Sequence, residues 1–178
     1  NGGGLKFDLF SKNERHRLSV YTSAQHTKRQ SYYGAGHDPN AYGNTTDMTF
    51  VGGSQYSYES DRCLFMPATF TGGMEYSYDD LQDRMLGYNR TISQTVHIGS
   101  LFAQNEWKNH YWSFLIGGRL DKHNLMNHLI FSPRANLRYN PTGDVNLRLS
   151  YSNGFRAPQA FDEDLHVTAV GGDVALIQ

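Results

Sequence analysis

Five of the chain's eight histidines, His26, His37, His123, His128 and His166, fall in long polar stretches or at their borders. Neutral imidazole is a common metal ligand, and polar stretches that converge in space would gather several. Their spacing matches no metal motif, because His123 and His128 are five apart in an expected loop, which fixes no geometry, so no metal of the protein's own is expected. Arg156 is a different kind of candidate: a guanidinium at the mouth of a cavity can grip carboxylates bidentately, or it can fold back onto carbonyls of its own loop. Asp162-Glu163-Asp164, beside His166, would suit calcium or acid–base chemistry, but no glycine-bearing calcium-loop pattern accompanies them and they read as solvated. No nucleophile and base fall on neighbouring strands, so no catalytic residue and no enzyme activity are expected. Cys63 is the single cysteine and can form no internal disulfide.

The elements that must position these residues alternate with period two. Residues 145–152 place Val145, Leu147, Leu149 and Tyr151 on one side and Asn146, Arg148, Ser150 and Ser152 on the other. Residues 131–139 set Phe131, Ala135, Leu137 and Tyr139 against Ser132, Arg134, Asn136 and Arg138, and the turn 140–144 joins the two as a hairpin. Three arginines therefore share one polar face. Similar strands are predicted over 5–11, 15–25, 48–58, 68–78, 93–105 and 111–120. Tyr56 and Tyr58 oppose Gln55 and Ser57, Met74 and Tyr76 oppose Glu75, and Trp112, Phe114, Ile116 and Leu120 form an outward row. Gly-Gly pairs sit at the centre of 48–58 and 68–78. In 93–105, Val96 and Ile98 are in one phase and Leu101 and Ala103 in the other, so a β-bulge is expected at Gly99-Ser100.

Composition agrees with a chain of strands: 18 Gly, 12 Tyr and 10 Phe accompany only 5 Pro. No apolar run approaches the roughly 20 residues a membrane helix needs. A mean hydropathy of −0.61 does not oppose a membrane barrel, whose strands are only half apolar. A net charge of −1 leaves no nucleic-acid footprint.

Connections after the first, third, fifth and seventh strands are short, whereas 26–47, 79–92, 121–128 and the segment from 157 onward read as long loops. Short turns at one end, long loops at the other and strands of about 10 residues between them characterise outer-membrane barrels. Tyr58, Tyr78, Tyr139 and Tyr151 suit interfacial girdles. The expected fold is therefore all-β, an antiparallel up-and-down transmembrane barrel of which this chain supplies about eight strands. Two alternatives follow from the same strands: a self-contained eight-stranded outer-membrane barrel acting as an adhesin or enzyme, and a soluble carbohydrate-binding sandwich.

Several stretches carry a resemblance. Leu115-Ile116-Gly117-Gly118-Arg119-Leu120-Asp121, Phe131-Ser132-Pro133-Arg134, Asn140-Pro141 and Ser150-Tyr151-Ser152-Asn153-Gly154-Phe155-Arg156-Ala157-Pro158 resemble, in order and spacing, the later barrel of TonB-dependent outer-membrane receptors. Phe102-Ala103-Gln104-Asn105-Glu106-Trp107 is similar to the strand before them. The resemblance is specific over residues 94–158 and one of style before that. It implies a barrel of about 22 strands around an N-terminal plug, with residues 1–178 a partial barrel lacking the plug, and both chain ends reading as cuts.

It further implies a bacterial outer-membrane location and outer-membrane lipid around the barrel. The implied cargo is a metal chelate, chiefly a ferric siderophore, haem or cobalamin, imported with energy from the TonB system. The long loops would face outward and the turn 140–144 the periplasm. In haem receptors a Phe-Arg-Ala-Pro box and an Asn-Pro-Asp/Asn-Leu box flank a histidine. Phe155 to Pro158 supply the first, with His166 downstream, but the second is missing before Gln178, and siderophore receptors carry a similar first box. Ligand contact is thus expected from His166 and Arg156, then from His123, His128, His26 and His37. The lumen-facing Arg134, Arg138, Arg148 and Glu75 would hydrogen-bond the plug.

Overall fold

A computed structural model describes residues 1–32, 41–85 and 90–155. It contains β1 (Gly2–Phe10), β2 (His16–Tyr32), β3 (Tyr42–Cys63), β4 (Met66–Met85), β5 (Arg90–Lys108), β6 (Trp112–His123), β7 (Leu129–Tyr139) and β8 (Leu147–Ser152). The eight form one antiparallel sheet in chain order, each strand paired with the next, and β1 and β8 are its two edges.

Alternation holds across the whole sheet because consecutive registers keep like faces together. Phe7 lies opposite Val20, Leu18 opposite Tyr56, Met74 opposite Leu101, Leu101 opposite Leu120, and Leu137 opposite Leu149. This face stays uncovered: Phe7 is 60% exposed, Leu101 59% and Leu149 71%. Among the described residues the only buried apolar side chains are Ala41, Ala68, Val96 and Ile130, and no large side chain is fully buried. A second packed layer is therefore absent there, which removes the soluble sandwich. β1 and β8 do not pair with each other, so the eight strands do not close on themselves either.

The apolar face has borders. On β3 it runs from Tyr58 to Met48, ten residue steps, or about 33 Å of strand at roughly 3.3 Å each, which a tilt of about 45° reduces to about 23 Å. That matches the roughly 25 Å apolar band of outer-membrane barrels. Rings mark the edge nearer the short turns. His16 stacks on Tyr58 at 4.8 Å, Trp107 lies between Phe65 and Phe114 at 5.6 Å from each, and Trp112 stacks on Tyr139 at 4.1 Å. At the other edge His97 meets Tyr78 at 5.0 Å and bonds the Tyr76 hydroxyl at 2.6 Å.

Three sequence expectations are corrected. Residues 26–47 and 79–92 are not loops throughout: β2 continues to Tyr32, β3 starts at Tyr42, β4 runs to Met85 and β5 begins at Arg90. Beyond the apolar band both faces carry mainly polar side chains, so the hydrophobic alternation fades while ladder pairing continues, as in Lys28 opposite Thr46 and Gln82 opposite Ser93. β6 similarly extends to His123, which shortens the expected loop 121–128. No bulge occurs at Gly99-Ser100, where β5 stays in register with both β4 and β6. Val96 and Ile98 simply face the polar side, where Val96 is buried, and the one register shift of the β3–β4 pair lies between Ser60 and Cys63.

The Gly-Gly pairs serve both faces. A Cβ on Gly72 would meet the Phe70 ring at 3.2 Å on the apolar side, and one on Gly73 would meet Phe102 at 2.6 Å on the other. Each pair seats one aromatic ring on either side of the sheet.

Candidate functional site

The polar face carries the charged chemistry. Tyr21 of β2 donates its hydroxyl to Glu75 Oε2 of β4 at 2.6 Å, passing over β3. Arg119 of β6 donates to the other Glu75 oxygen at 3.0 Å, to Asp121 Oδ1 at 2.7 Å and to Ser100 Oγ of β5 at 2.7 Å. Ser100 in turn donates to Asp121 at 2.5 Å. One guanidinium thus bridges two carboxylates, and the network ties four strands together at mid-sheet. Nearer the short turns Asp8 accepts from Arg17 at 3.2 Å and from Ser19, with Lys6 at 3.4 Å.

Gly53 makes the span over β3 feasible. A Cβ there would lie 2.6 Å from Tyr21 Oη and 2.8 Å from the Met74 carbonyl. Gly53→Ala is expected to displace Tyr21 from Glu75 and to lower unfolding stability in detergent by about 1–3 kcal/mol. Gly99→Ala, with nothing within 4 Å of the new methyl, should cost nothing. Equal urea midpoints for the two variants of the full-length receptor would refute this account.

Two of the clefts on the polar face bear on this chemistry. One, about 370 Å³, is bordered by Tyr21, Gln55, Glu75, Phe102, Arg119 and Arg134. The other, about 310 Å³, lies towards the long hairpins between Arg29, Asp47, Asp79 and Gln94. Above β6 the side chain of Asn124 takes the place of a strand partner. Its amide donates to Thr95 O at 2.8 Å and its oxygen accepts from His97 N at 3.0 Å, which fastens the β6–β7 loop to β5. Lys122 holds the same loop through the carbonyls of Met126 and Asn127.

Of the candidate histidines that fall among the described residues, His26 and His123 lie on opposite faces of the sheet. His26 is not in a loop but on β2, on the outward face opposite Met48. His123 ends β6 on the polar face, 2% exposed, with Nδ1 accepting the Leu125 N–H at 3.0 Å. His128 is exposed in the β6–β7 loop. His37, Arg156, His166 and Asp162-Glu163-Asp164 lie outside the described residues. Among the described residues no group of three His, Cys, Asp or Glu side chains could hold a metal. Glu75, Arg134, Arg138 and Arg148 stand on the polar face as alternation requires.

Sequence reasoning missed the bridging roles of Arg119, Asp121, Ser100 and Tyr21. Their faces were legible, since Arg119 and Asp121 alternate with Ile116 and Leu120. Their partnership was not, because it depends on which residues of distant strands share a level.

No curated protein matches the sequence significantly. The family described as TonB dependent receptor-like, beta-barrel matches residues 2–176. With an uncovered apolar band, aromatic borders and a charged opposite face on one meandering sheet, the chain belongs to the β-barrel family of TonB-dependent receptors, transport receptors of the bacterial outer membrane.

Proposed function

We propose that this chain forms part of the barrel wall of a receptor that captures a metal chelate at its long hairpins and imports it with energy from the TonB system. The chelate is a ferric siderophore, haem or cobalamin. In this reading the ends bearing Tyr32, Tyr42 and Met85 face the outside, and the turns at Leu64 and Asn140 face the periplasm. A plug supplied by the same protein fills the lumen against Glu75, Arg134, Arg138 and Arg148.

The single observation that carries the reading is the two-faced sheet, with its lipid-width apolar band on one side and its ion-pair network on the other. Ligand contact is assigned to His166 and Arg156, which follow the strand motif ending at Phe155, with His37 and His128 contributing from other connections. His123 and His26 take lesser parts, His123 as a buried support of its loop and His26 at the outer lipid border.

Deletion of the full-length gene should abolish growth on one of these three chelates as sole source, and the intact gene should restore it. Restoration with His166→Ala or Arg156→Gln should leave the receptor in the outer membrane but weaken chelate binding about tenfold, or 1.4 kcal/mol. Undiminished growth of the deletion strain on all three would overturn the proposal.

A further inference from the structure

Charge is almost absent from the outward, apolar face, and what there is lies at one end. Histidines and the irregular stretch between Ser60 and Cys63 aside, the outward positions of β1 to β8 hold four charged side chains among the described residues: Lys28, Asp80, Arg84 and Lys122. All four lie towards the long hairpins. At the opposite border the outward residues in register are uncharged, as in Tyr58 opposite Phe70 and Trp107 opposite Phe114. Two of the four are already engaged: Lys122 is held by the carbonyls of Met126 and Asn127, and Asp80 accepts from Thr95 at 2.8 Å. Lys28 and Arg84 are exposed, and among the described residues neither takes part in an ion pair.

Register fixes their places. Lys28 lies opposite Thr46, which lies opposite Gln82; two residues further out, Arg84 lies opposite Asn44. The cations are therefore two strands apart, about 10 Å, and two residues along, about 7 Å, or about 12 Å between backbones. Side chains of their length can close that gap on one ligand, with the hydroxyl and amides of Thr46, Asn44 and Gln82 on the same face between them. On β3 the apolar band ends at Met48, so Thr46 and Asn44 stand two and four residues beyond it. That is about 7 and 13 Å of strand, or about 5 and 9 Å of height at a tilt of about 45°. The headgroup layer of a bilayer is roughly 5–8 Å deep on each side. Lys28 and Arg84 thus stand in or just above that layer and on the side turned away from the lumen, where lipid headgroups meet them and a cargo inside the barrel does not. A guanidinium and an ammonium with neutral hydrogen-bonding groups between them fit an anionic phosphate, whose several oxygens can accept from all of these.

We propose that Lys28 and Arg84, with Thr46, Asn44 and Gln82, form a binding site for an anionic, phosphate-bearing lipid headgroup of the outer leaflet. The bound headgroup fastens the hairpin ends of β2, β3 and β4 to the membrane surface. The inference rests on the reading that the long hairpins face outside, and adds the lipid chemistry selected at this border.

The test uses the full-length receptor in non-ionic detergent, stripped of lipid, with dioctanoyl phosphatidic acid as the probe and native mass spectrometry as the readout. The unsubstituted receptor should retain the probe, and the Lys28→Gln, Arg84→Gln double variant should bind it at least about tenfold more weakly. Arg29→Gln removes the same charge one residue away on the opposite face and should bind like the unsubstituted receptor. Neither dioctanoyl phosphatidylcholine nor inorganic phosphate should displace the probe. Equal binding by the double variant, an equal loss in Arg29→Gln, or displacement by inorganic phosphate overturns the lipid site. Orientation is read separately in intact cells, where a polymer-linked maleimide too large to cross the outer membrane should label Tyr42→Cys and leave Cys63 unlabelled until lysis. The reverse pattern overturns the outward placement of the long hairpins and the leaflet with it. The expected labelling without a difference in probe binding overturns the lipid site alone.

Discussion

Leu101→Arg will keep the full-length receptor from assembling stably in the outer membrane, whereas Gln104→Arg three residues away will be tolerated. Leu101 stands near the middle of the apolar band on β5, between Met74 and Leu120, and its side chain is mostly exposed. In a barrel that exposure is contact with acyl chains, and an arginine at the bilayer midplane of such a barrel costs about 2–4 kcal/mol. Gln104 faces the opposite way, between Thr71 and Gly117, and a guanidinium there borders water or polar partners. The check is the fraction of each variant recovered folded from outer membranes, read by its resistance to unfolding in cold detergent. Equal recovery of the two would mean that the apolar face does not meet lipid, and the assignment of faces would fail.

Arg119→Met should lower the stability of the purified receptor by about 2 kcal/mol. The substitution removes hydrogen bonds to two carboxylates and to Ser100, and bonds to charged groups contribute about 1.5–3 kcal/mol apiece when fully shielded. Arg119 is 40% exposed, so solvent screens part of that and the expected loss is kept towards the lower end. The sharper reading is a double-mutant cycle. Glu75→Gln alone weakens the same bridge, so Glu75→Gln with Arg119→Met should cost about 1 kcal/mol less than the two losses added. Additive losses would show that the two side chains are merely adjacent, and the network would lose its role in tying β4 to β6.

Much of this was readable before any coordinates. Tyr56 and Tyr58 against Gln55 and Ser57, or Leu147 and Leu149 against Arg148 and Ser150, declare their faces because a strand's side-chain period is a local property of the backbone. The family followed from the motifs around Gly117-Gly118-Arg119 and Phe155, and the places of Glu75 and the three arginines on the polar face followed from counting by twos.

Strand length did not follow. Residues 26–32 and 79–85 read as loop because hydrophobic alternation marks lipid contact, and these segments rise above the lipid while still pairing with neighbours that share their height. The apparent slip at Gly99 had a related cause. Val96 and Ile98 turn inward where the outer face no longer needs apolar groups, and the backbone never leaves register.

What the chain's order of residues determined by itself was therefore the two-sidedness of every strand, and with it the membrane and the class of receptor. What the tertiary structure alone decided was who meets whom across strands. Tyr21 reaches Glu75 only because Gly53 lies beneath it, Arg119 finds acids on β4 and β6 together, and Arg138 faces Arg148 with no acid between. Face is set by the geometry of one residue, whereas partnership depends on register accumulated over many strands, which no single stretch of sequence contains.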